Sequence, residues 1–329
     1  MRLLRLIGIL AVTAMLAVGF GAFRLLSPYR GFRGDTYVDI PRGTTADGIA
    51  DLLARSGVVR SRWDFLLARV AERGRVLQAG EYRFQRPDSA FDVFDRIARG
   101  DIFYYTLTVP EGRNMFDIAA ASSAFGLFTA QQFLAAARDP WLISDLDPQA
   151  PTLEGYLFPG TYRLNHRTTP RLLCERMTAR FREAWSGLHA GADPHRTVTL
   201  ASLVEREAKL PGERAQIAGV FENRLRLGMK LDCDPTTIYA ALLDARYRGA
   251  IYRSDLDSDN PYNTYRHAGL PPGPIANPGL ASIHAALEPS VTTALYFVLR
   301  PDGSGGHEFS RTLAEQNAAV VRYHRARPQ

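Results

Sequence analysis

Two glutamates in the segment ASLVEREA, residues 201–208, are the side chains of this sequence best placed to move a proton during a reaction. On a helix with about 100° per residue, the neighbouring leucines and valine form one apolar face. Glu205 falls just beyond the edge of that face, and Glu207 points near the face itself. Because desolvation raises the pKa of carboxyl groups at the rim of an apolar surface, such positions suit general-acid catalysis.

The helix alone leaves a plainer interpretation open, in which both glutamates are surface charges paired with Arg206, Lys209 or Arg214. Three later segments rich in Asn, Tyr, Thr and Pro favour a catalytic site: DCDPTTIYA (232–240), YNTYRHAGLPPGPIANPG (262–279) and GGHEFS (305–310). Their amides and hydroxyls suit the hydroxyl and N-acetyl groups of a sugar polymer, and their aromatic rings suit stacking. His267 and His307 are interpreted as loop structure or substrate contacts, because no nucleophile is spaced to pair with either.

An uncharged apolar run of 18 residues, Leu6–Phe23, lies near the N-terminus. As a helix it would span about 27 Å, close to the roughly 30 Å hydrocarbon core of a bilayer. Signal peptides have a shorter apolar region and a small-residue cleavage site, which residues 19–23 do not offer. A retained membrane anchor is therefore predicted over a cleaved peptide or a buried core helix. The arginines on its two sides are nearly balanced and do not orient it.

The 329 residues carry a formal net charge of +6, which suits an anionic partner such as a membrane or a wall polymer. Nucleic acid is not predicted as a partner, because no nucleic-acid-binding motif accompanies the charge. Neither Cys174 nor Cys233 has a histidine at metal-ligand spacing, so no metal site is predicted. Whether the two cysteines pair with each other is left open.

Hydrophobic periodicity predicts an α+β fold in four parts. They are a stub and membrane anchor at 1–26, a linker at 27–35, a small α+β module at 36–104 and a mixed α+β domain at 105–329. The order strand, Pro-x-Gly turn and helix occurs twice, at Pro41 and at Pro110. This pattern resembles LysM-like wall-binding modules, and plain structural packing explains it equally well.

Within the module, the sequence predicts helices at 61–72 and 86–100 and a strand at 77–84. In the larger domain it predicts helices at 171–185, 197–208, 213–227, 281–287 and 312–325. The segment 232–278 is predicted to be loop-like. A buried strand at 294–299 is predicted to lead into a hairpin.

The larger domain contains the segments ASLVEREA, VFENRLRLGMKL, DPTTIYA, YNTYRHAGLPPGPIANPG and LYFVLRPDGSGGHEFS, preceded by EGYLFPGTY. In their order and spacing, over about residues 36–325, the chain resembles the YceG-like family of endolytic murein transglycosylases. One departure is Cys233, where Ser, Thr or Gln is expected before Asp-Pro-Thr.

The resemblance implies a single catalytic glutamate, Glu205, that acts without a cofactor. It also implies a single-pass protein of the inner membrane, with a cytoplasmic N-terminus and its bulk in the periplasm. The expected substrate is the glycan strand of peptidoglycan, cut between MurNAc and GlcNAc to leave 1,6-anhydro ends. Glu213, Asn263 and Tyr265 are predicted to position that substrate, and cell-wall synthases are candidate partners. The alternatives are a non-catalytic wall-binding scaffold and a lysozyme-like hydrolase.

Overall fold

An exposed apolar helix, α1 (Arg2–Leu26), begins the chain in a computed structural model that describes residues 2–72, 74–188 and 191–326. Among these residues, Arg5–Leu26 is the one stretch long and apolar enough to cross a membrane, and none of it is buried. Signal sequences near an N-terminus meet the same criteria as anchors. Retention of this helix therefore stays a prediction.

The chain that follows α1, predicted as a linker, is fixed to a folded unit. Leu25 packs against the core of that unit, and Arg24 Nη2 lies 3.1 Å from Asp64 Oδ2. Tyr29 forms an isolated antiparallel bridge with Asp88. The last turn of α1 and the residues after it are therefore held by packing, an ion pair and backbone hydrogen bonds.

The chain divides into two compact units, Met1–Tyr105 and Thr106–Gln329. After α1, the first unit contains β1 (Thr36–Ile40), α2 (Ala46–Arg55), α3 (Arg62–Ala71), β2 (Gly80–Phe84) and α4 (Ala90–Arg99). β1 and β2 pair antiparallel, with Val38 opposite Tyr82. Alternate strand residues and the helix faces bury a shared core that includes Ile40, Ile49, Leu53, Phe65, Tyr82, Phe84, Phe94 and Ile97.

Helix α4 shows how local sequence sets element boundaries. Ser89 caps its first turn through a reciprocal capping box with Asp92. Gly100 follows its last turn at φ 71°, a left-handed conformation that glycine adopts at little cost. The helix is therefore shorter at its start than the predicted 86–100, because Ser89 defines the first turn.

The second unit begins within β3 (Tyr105–Val109). It continues with α5 (Met115–Ser123), α6 (Ala130–Ala137), β4 (Gly160–Leu164), α7 (Pro170–Ser186), α8 (Pro194–Glu207), α9 (Arg214–Arg226), α10 (Asp234–Leu243), α11 (Arg253–Leu256), α12 (Leu280–Leu287), β5 (Tyr296–Leu299), β6 (His307–Ser310) and α13 (Leu313–Ala326). β3 pairs with β4, and β5 pairs antiparallel with β6. The mixture of helices and small sheets agrees with the predicted α+β class.

Helix α8 lies at the centre of the second unit, where it contacts α9, α10 and α12. Asp193 caps its start and Pro194 occupies its first turn. Every residue from Thr197 to Val204 is buried. The helix ends at Glu207, so both glutamates of ASLVEREA lie in its last turn, beside the elements that pack around it.

Two of the predicted elements are wrong. The segment 232–278 was expected to be loop-like, but it contains α10 and α11. In α10 the sequence Asp234-Pro235 starts the helix, since proline is favoured in a first helical turn. The strand expected to be buried, β5, is half-buried along its length, because it belongs to a two-stranded ribbon.

Candidate active site

Glu205 lies in the last turn of α8 with 7% of its side chain exposed. Its Oε2 atom accepts a hydrogen bond of 2.7 Å from Ser282 Oγ, in α12. The backbone amide of Gly279, just before α12, donates to the same oxygen at 3.1 Å. The contact between α8 and α12 therefore fixes one oxygen of the carboxyl group.

Arg214, the first residue of α9, faces the other oxygen. Its Nη2 atom lies 3.6 Å from Glu205 Oε1, an ion-pair distance longer than a hydrogen bond, and its Nε donates to Ser282 Oγ at 3.0 Å. Oε1 accepts no hydrogen bond from the described residues, so its lone pairs are available to a proton. The surface-charge interpretation is right that Glu205 pairs with Arg214. It is wrong that this pair lies at the surface, because only 15% of the Arg214 side chain and 7% of the Glu205 side chain are exposed.

A second carboxylate, Glu111, lies on the other side of Gly279. A Cβ atom on Gly279 would be 2.0 Å from Glu111 Cδ, so the exposed Glu111 carboxyl group rests against this glycine. Glu111 is the middle residue of the Pro110–Gly112 turn, in which Gly112 has φ 75°. A Cβ on Gly112 would lie 3.4 Å from Glu205 Cγ. The second Pro-x-Gly turn therefore borders the site.

Asn277 fastens together the segments around Glu205 and is completely buried. Its Oδ1 accepts hydrogen bonds of 2.9 Å from the amides of Gly155 and Leu157. Its Nδ2 donates to Arg113 O at 2.9 Å and to Glu154 Oε1 at 2.7 Å. Its backbone carbonyl accepts from the last amide of the Pro-x-Gly turn. One side chain thus connects the EGYLFPGTY segment, the Pro-x-Gly turn and the ANPG segment before α12.

Glu154 is the buried acid beneath this network. Burial raises its pKa from the ordinary 4.5 to about 8, and hydrogen bonds from the Met115 amide, Tyr239 and Asn277 oppose that rise. The carboxyl group is therefore mostly protonated at neutral pH.

Protein stability is expected to fall as pH rises, because Glu154 has a higher pKa in the folded chain than in the unfolded chain. The contribution of this proton to stability is fully present below about 4.5 and is lost as pH rises through about 8. Between these values the free energy of unfolding should fall by up to about 1.4 kcal/mol per pH unit. Thermal unfolding across this range measures the slope. Glu154→Gln, which cannot ionise, should flatten it, and an unchanged slope in that variant would show that another group is responsible.

Glu207 points into a separate cavity of about 170 Å³, lined also by Cys233, Asp234 and Tyr265 but not by Glu205. Cys233 Sγ donates to Glu207 Oε1 at 3.2 Å. Burial raises the pKa of Glu207, and burial together with the Glu207 carboxyl raises the pKa of the Cys233 thiol. Serine, threonine and glutamine, the residues expected at position 233, also carry a hydrogen-bond donor. The cysteine therefore differs from the expected residue types and supplies Glu207 with a donor, as each of them could.

We expect Cys233→Ser to unfold close to the wild-type temperature, because the hydroxyl can replace the thiol as donor to Glu207. Cys233→Ala should lose about 1 kcal/mol more, because it leaves a buried acceptor without its partner. Thermal unfolding measures both, and Cys174→Ala, another buried free cysteine, controls for lost sulfur volume. Equal stabilities of the serine and alanine variants at position 233 would refute the donor role.

Tyr265, one of the predicted substrate-positioning residues, lines this cavity. Its hydroxyl donates to Asp234 Oδ1 at 2.7 Å, and its ring is half-buried. Burial, together with the neighbouring Asp234, raises the pKa of this phenol. Tyr265 therefore presents a neutral, oriented aromatic ring to the cavity.

Asn263 and Glu213 have their polar atoms occupied within the protein. Asn263 is completely buried, and its amide bonds to Thr237, to the Tyr265 backbone and to the carbonyls of residues 255, 256 and 258. Both oxygens of Glu213 accept from His307, from its amide at 2.9 and 3.1 Å and from Nδ1 at 2.8 Å. Asn263 therefore folds its own loop, and Glu213 holds the start of β6 against the start of α9.

Sequence reasoning missed five residues that build this site. They are Glu111, Glu154, Arg214, Asn277 and Ser282. Three of them lie in segments singled out in the sequence: Glu111 in the Pro-x-Gly turn, Glu154 in EGYLFPGTY and Asn277 in ANPG. Arg214 appeared only as a possible surface partner, and Ser282 lies three residues beyond the ANPG segment.

The arrangement around Glu205 can deliver and take back one proton at a fixed position. Oε2 is held by two donors, Oε1 lies 3.6 Å from the Arg214 cation, and the Glu111 carboxyl group lies against Gly279, whose amide binds Oε2. No group of three or more His, Cys, Asp or Glu side chains able to hold a metal occurs within the described ranges. Fold and geometry thus define a candidate acid–base site at the end of a buried helix in an α+β unit.

The profile of the YceG-like family matches residues 38–322. The chain belongs to this family, and the resemblance seen in its sequence is confirmed. The protein named "Endolytic murein transglycosylase" from Bacillus subtilis (strain 168) is 33% identical over 309 residues, covering 87% of this chain and 84% of the relative. A protein with the same name from Streptococcus pneumoniae serotype 2 (strain D39) is 30% identical over 301 residues and 79% of this chain, which spans about half (53%) of that longer relative.

Among solved structures, a yceG-like protein from Listeria monocytogenes is similar, with a TM-score of 0.56 and 29% sequence identity. The match covers 87% of this chain and 99% of that chain. The similarity therefore extends over nearly the whole of the solved protein.

Proposed function

We propose that this chain is a membrane-anchored lytic transglycosylase that cuts peptidoglycan glycan strands internally, at the β-1,4 bond between MurNAc and GlcNAc. The observation that carries the proposal is the Glu205 carboxyl group, held through Oε2 by Ser282 and Gly279, while no described residue donates a hydrogen bond to Oε1. Two curated relatives named endolytic murein transglycosylases support the reaction class and the substrate.

In the proposed reaction, Glu205 Oε1 protonates the glycosidic oxygen, and the bond from MurNAc C1 breaks with its electron pair on GlcNAc O4. The C6 hydroxyl of the same MurNAc attacks C1 and gives its proton to Glu205. The product end is a 1,6-anhydro sugar, no water is consumed, and the carboxyl group returns to its starting state. One carboxylate suffices because the nucleophile is already attached to the substrate.

Ser282 and Arg214 act in this scheme as positioning residues. Arg214 donates a hydrogen bond to Ser282 Oγ, and the Ser282 hydroxyl in turn donates its proton to Glu205 Oε2. This chain of hydrogen bonds fixes the rotation of the carboxyl group. It keeps Oε1 in one place for both proton transfers.

The position of Glu111 favours one alternative, hydrolysis of the same bond. A hydrolase requires a second carboxylate, either as the nucleophile or to activate water. Glu111 is the carboxylate that lies against Gly279, whose amide binds Glu205. Substitution of Glu111 therefore separates the two mechanisms.

The full-length protein in detergent, incubated with purified sacculi, tests the proposal when the soluble fragments are analysed by mass spectrometry. Anhydro ends support lytic cleavage, and Glu111→Gln should then retain most of the activity. Reducing ends that disappear in Glu111→Gln would establish a hydrolase. Binding to sacculi with no fragments released would establish a non-catalytic scaffold.

The remaining assignments belong to the same proposal. Residues 1–26 hold the cytoplasmic stub and the inner-membrane anchor, residues 36–104 form a LysM-like module that binds glycan, and residues 105–329 form the catalytic domain in the periplasm. Tyr265 contacts sugar directly, whereas Asn263 and Glu213 position the loops that do so. Cell-wall synthases are candidate partners.

An intact mass of the membrane-extracted protein that includes Leu6–Phe23 would support the anchor. A mature form that lacks these residues would show that they are a signal peptide.

A further inference from the structure

Helix α3 exposes a row of apolar side chains on its outer face. Trp63, Leu67 and Val70 are 64%, 52% and 55% exposed. At about 100° per residue they fall within an arc of roughly 60°. The residues that α3 buries in the core, Phe65 and Ala68, point away from this arc. We call Trp63, Leu67 and Val70 the α3 stripe.

The α3 stripe lies beside the point where the apolar helix α1 ends. Arg24, in the last turn of α1, pairs with Asp64 of α3 at 3.1 Å, and Leu25 packs against the core of the unit. Asp64 lies about 60–120° around α3 from the stripe residues. The stripe therefore continues from the side of α3 that meets α1.

Basic side chains border the stripe on its other side. Arg62 and Arg69 lie about 80–160° from the stripe residues in the direction away from Asp64. Arg62 stacks over the Trp63 ring with its Cζ atom 5.4 Å from the ring centroid, and its charge is paired with Asp47 and Asp51, at 2.6 and 3.2 Å. Arg60, just before the helix, and Arg69 are exposed. Aromatic residues favour the bilayer interface, and arginines there attract anionic headgroups.

An exposed tryptophan could instead stack against a sugar ring. Leu67 and Val70 argue against that use, because a glycan site needs polar groups for the sugar hydroxyls and these two side chains supply none. A continuous apolar row with a basic border is the pattern of a helix that lies in the membrane interface. Continuity with α1 favours the same occupant.

We infer that α3 lies in the headgroup region of the membrane and buries the α3 stripe there as a second membrane contact. This inference rests on the proposed role of α1 as a membrane anchor. It adds that the first unit rests on the lipid surface in one orientation, through Trp63 in particular.

Tryptophan fluorescence of the full-length protein in lipid vesicles tests the inference. The chain has three tryptophans, Trp63, Trp141 and Trp185. Only Trp63 belongs to the first unit, which ends at Tyr105. Vesicles contain anionic phosphatidylglycerol, with or without phosphatidylcholine bearing a doxyl quencher close to the headgroup. The Trp63 signal is the difference between wild-type and Trp63→Phe emission. It should fall by about twofold or more with the quencher, as expected for a ring in the interface.

Leu67→Glu provides a matched variant, because it places a charge in the stripe at an exposed position and should leave folding intact. It should reduce the quenching of Trp63 while release of fragments from sacculi and circular dichroism stay unchanged. Absence of quenching in the wild-type protein would overturn the inference. So would a Trp63 signal that responds to soluble glycan fragments and not to the quencher. Carbonate extraction of the vesicles reports separately on α1, and fragment release reports on the proposed activity.

Discussion

Glu205→Gln should remove nearly all release of anhydro fragments from sacculi and leave the fold intact. Glutamine keeps an oxygen that can accept from Ser282 and Gly279, so the local hydrogen bonds survive the change. Its amide cannot deliver and recover a proton, and general acid–base catalysis alone is worth about 10²–10⁴-fold in rate. Fragment release measured by mass spectrometry should fall by at least that range. Sedimentation with sacculi and the unfolding temperature should stay close to wild type.

Glu207→Gln is the matched control, because it changes the same residue type two positions away on the same helix. Glu207 faces the Cys233 cavity, and on a helix the two side chains point about 200° apart. This variant should act through stability if it acts at all. Near-normal activity in Glu205→Gln together with loss in Glu207→Gln would overturn the catalytic assignment and the mechanism built on it.

Asn277→Ala should cause the largest loss of stability, about 3–5 kcal/mol. The change removes four side-chain hydrogen bonds and leaves the buried amides of Gly155 and Leu157 without their acceptor. It also removes a donor from the buried Glu154. Thermal and denaturant unfolding measure the loss. Activity should fall even under conditions where the variant is folded. The Asn277 side chain, in the ANPG segment next to Glu205, would no longer donate to Arg113 O beside the Pro-x-Gly turn.

Asn317→Ala is the control for that variant, since Asn317 is exposed on α13. Its stability should lie within about 0.5 kcal/mol of wild type, as is usual for surface substitutions. If Asn277→Ala were as stable as Asn317→Ala, the hydrogen bonds of the Asn277 side chain would not contribute measurably to the stability of the fold.

The periodicity of the sequence was enough to predict the helix that carries the site. The helical spacing of apolar residues predicted a helix at 197–208, where α8 spans Pro194–Glu207, and it separated the directions of Glu205 and Glu207. The sequence could not assign partners for Glu205, because Ser282 and Gly279 are more than 70 residues away along the chain. Contacts of that separation depend on how α8 and α12 pack, and periodicity within one segment carries no information about it.

Asn263 shows a different limit. A polar residue in a rigid loop was expected to face the substrate, but a loop becomes rigid by satisfying its own backbone groups. The Asn263 amide donates to the carbonyls of residues 255 and 256, at the end of α11, and of residue 258, and so ties its loop to that helix. In the sequence, an asparagine that builds a loop and an asparagine that binds a sugar look the same.

The attachment of the residues after α1 has a consequence for where in the wall the protein can work. A free linker of nine residues could extend by about 30 Å and let the first unit move through successive layers of peptidoglycan. The bridge between Tyr29 and Asp88 and the hydrogen bond from Gly31 to Gly57 hold these residues against the first unit, so they cannot extend as a free linker would. With α1 in the bilayer, as proposed, the height of the first unit above the membrane is set by the fold. If that unit binds glycan, as proposed, the strand that it binds must lie at this height, and strands farther from the membrane are beyond its reach.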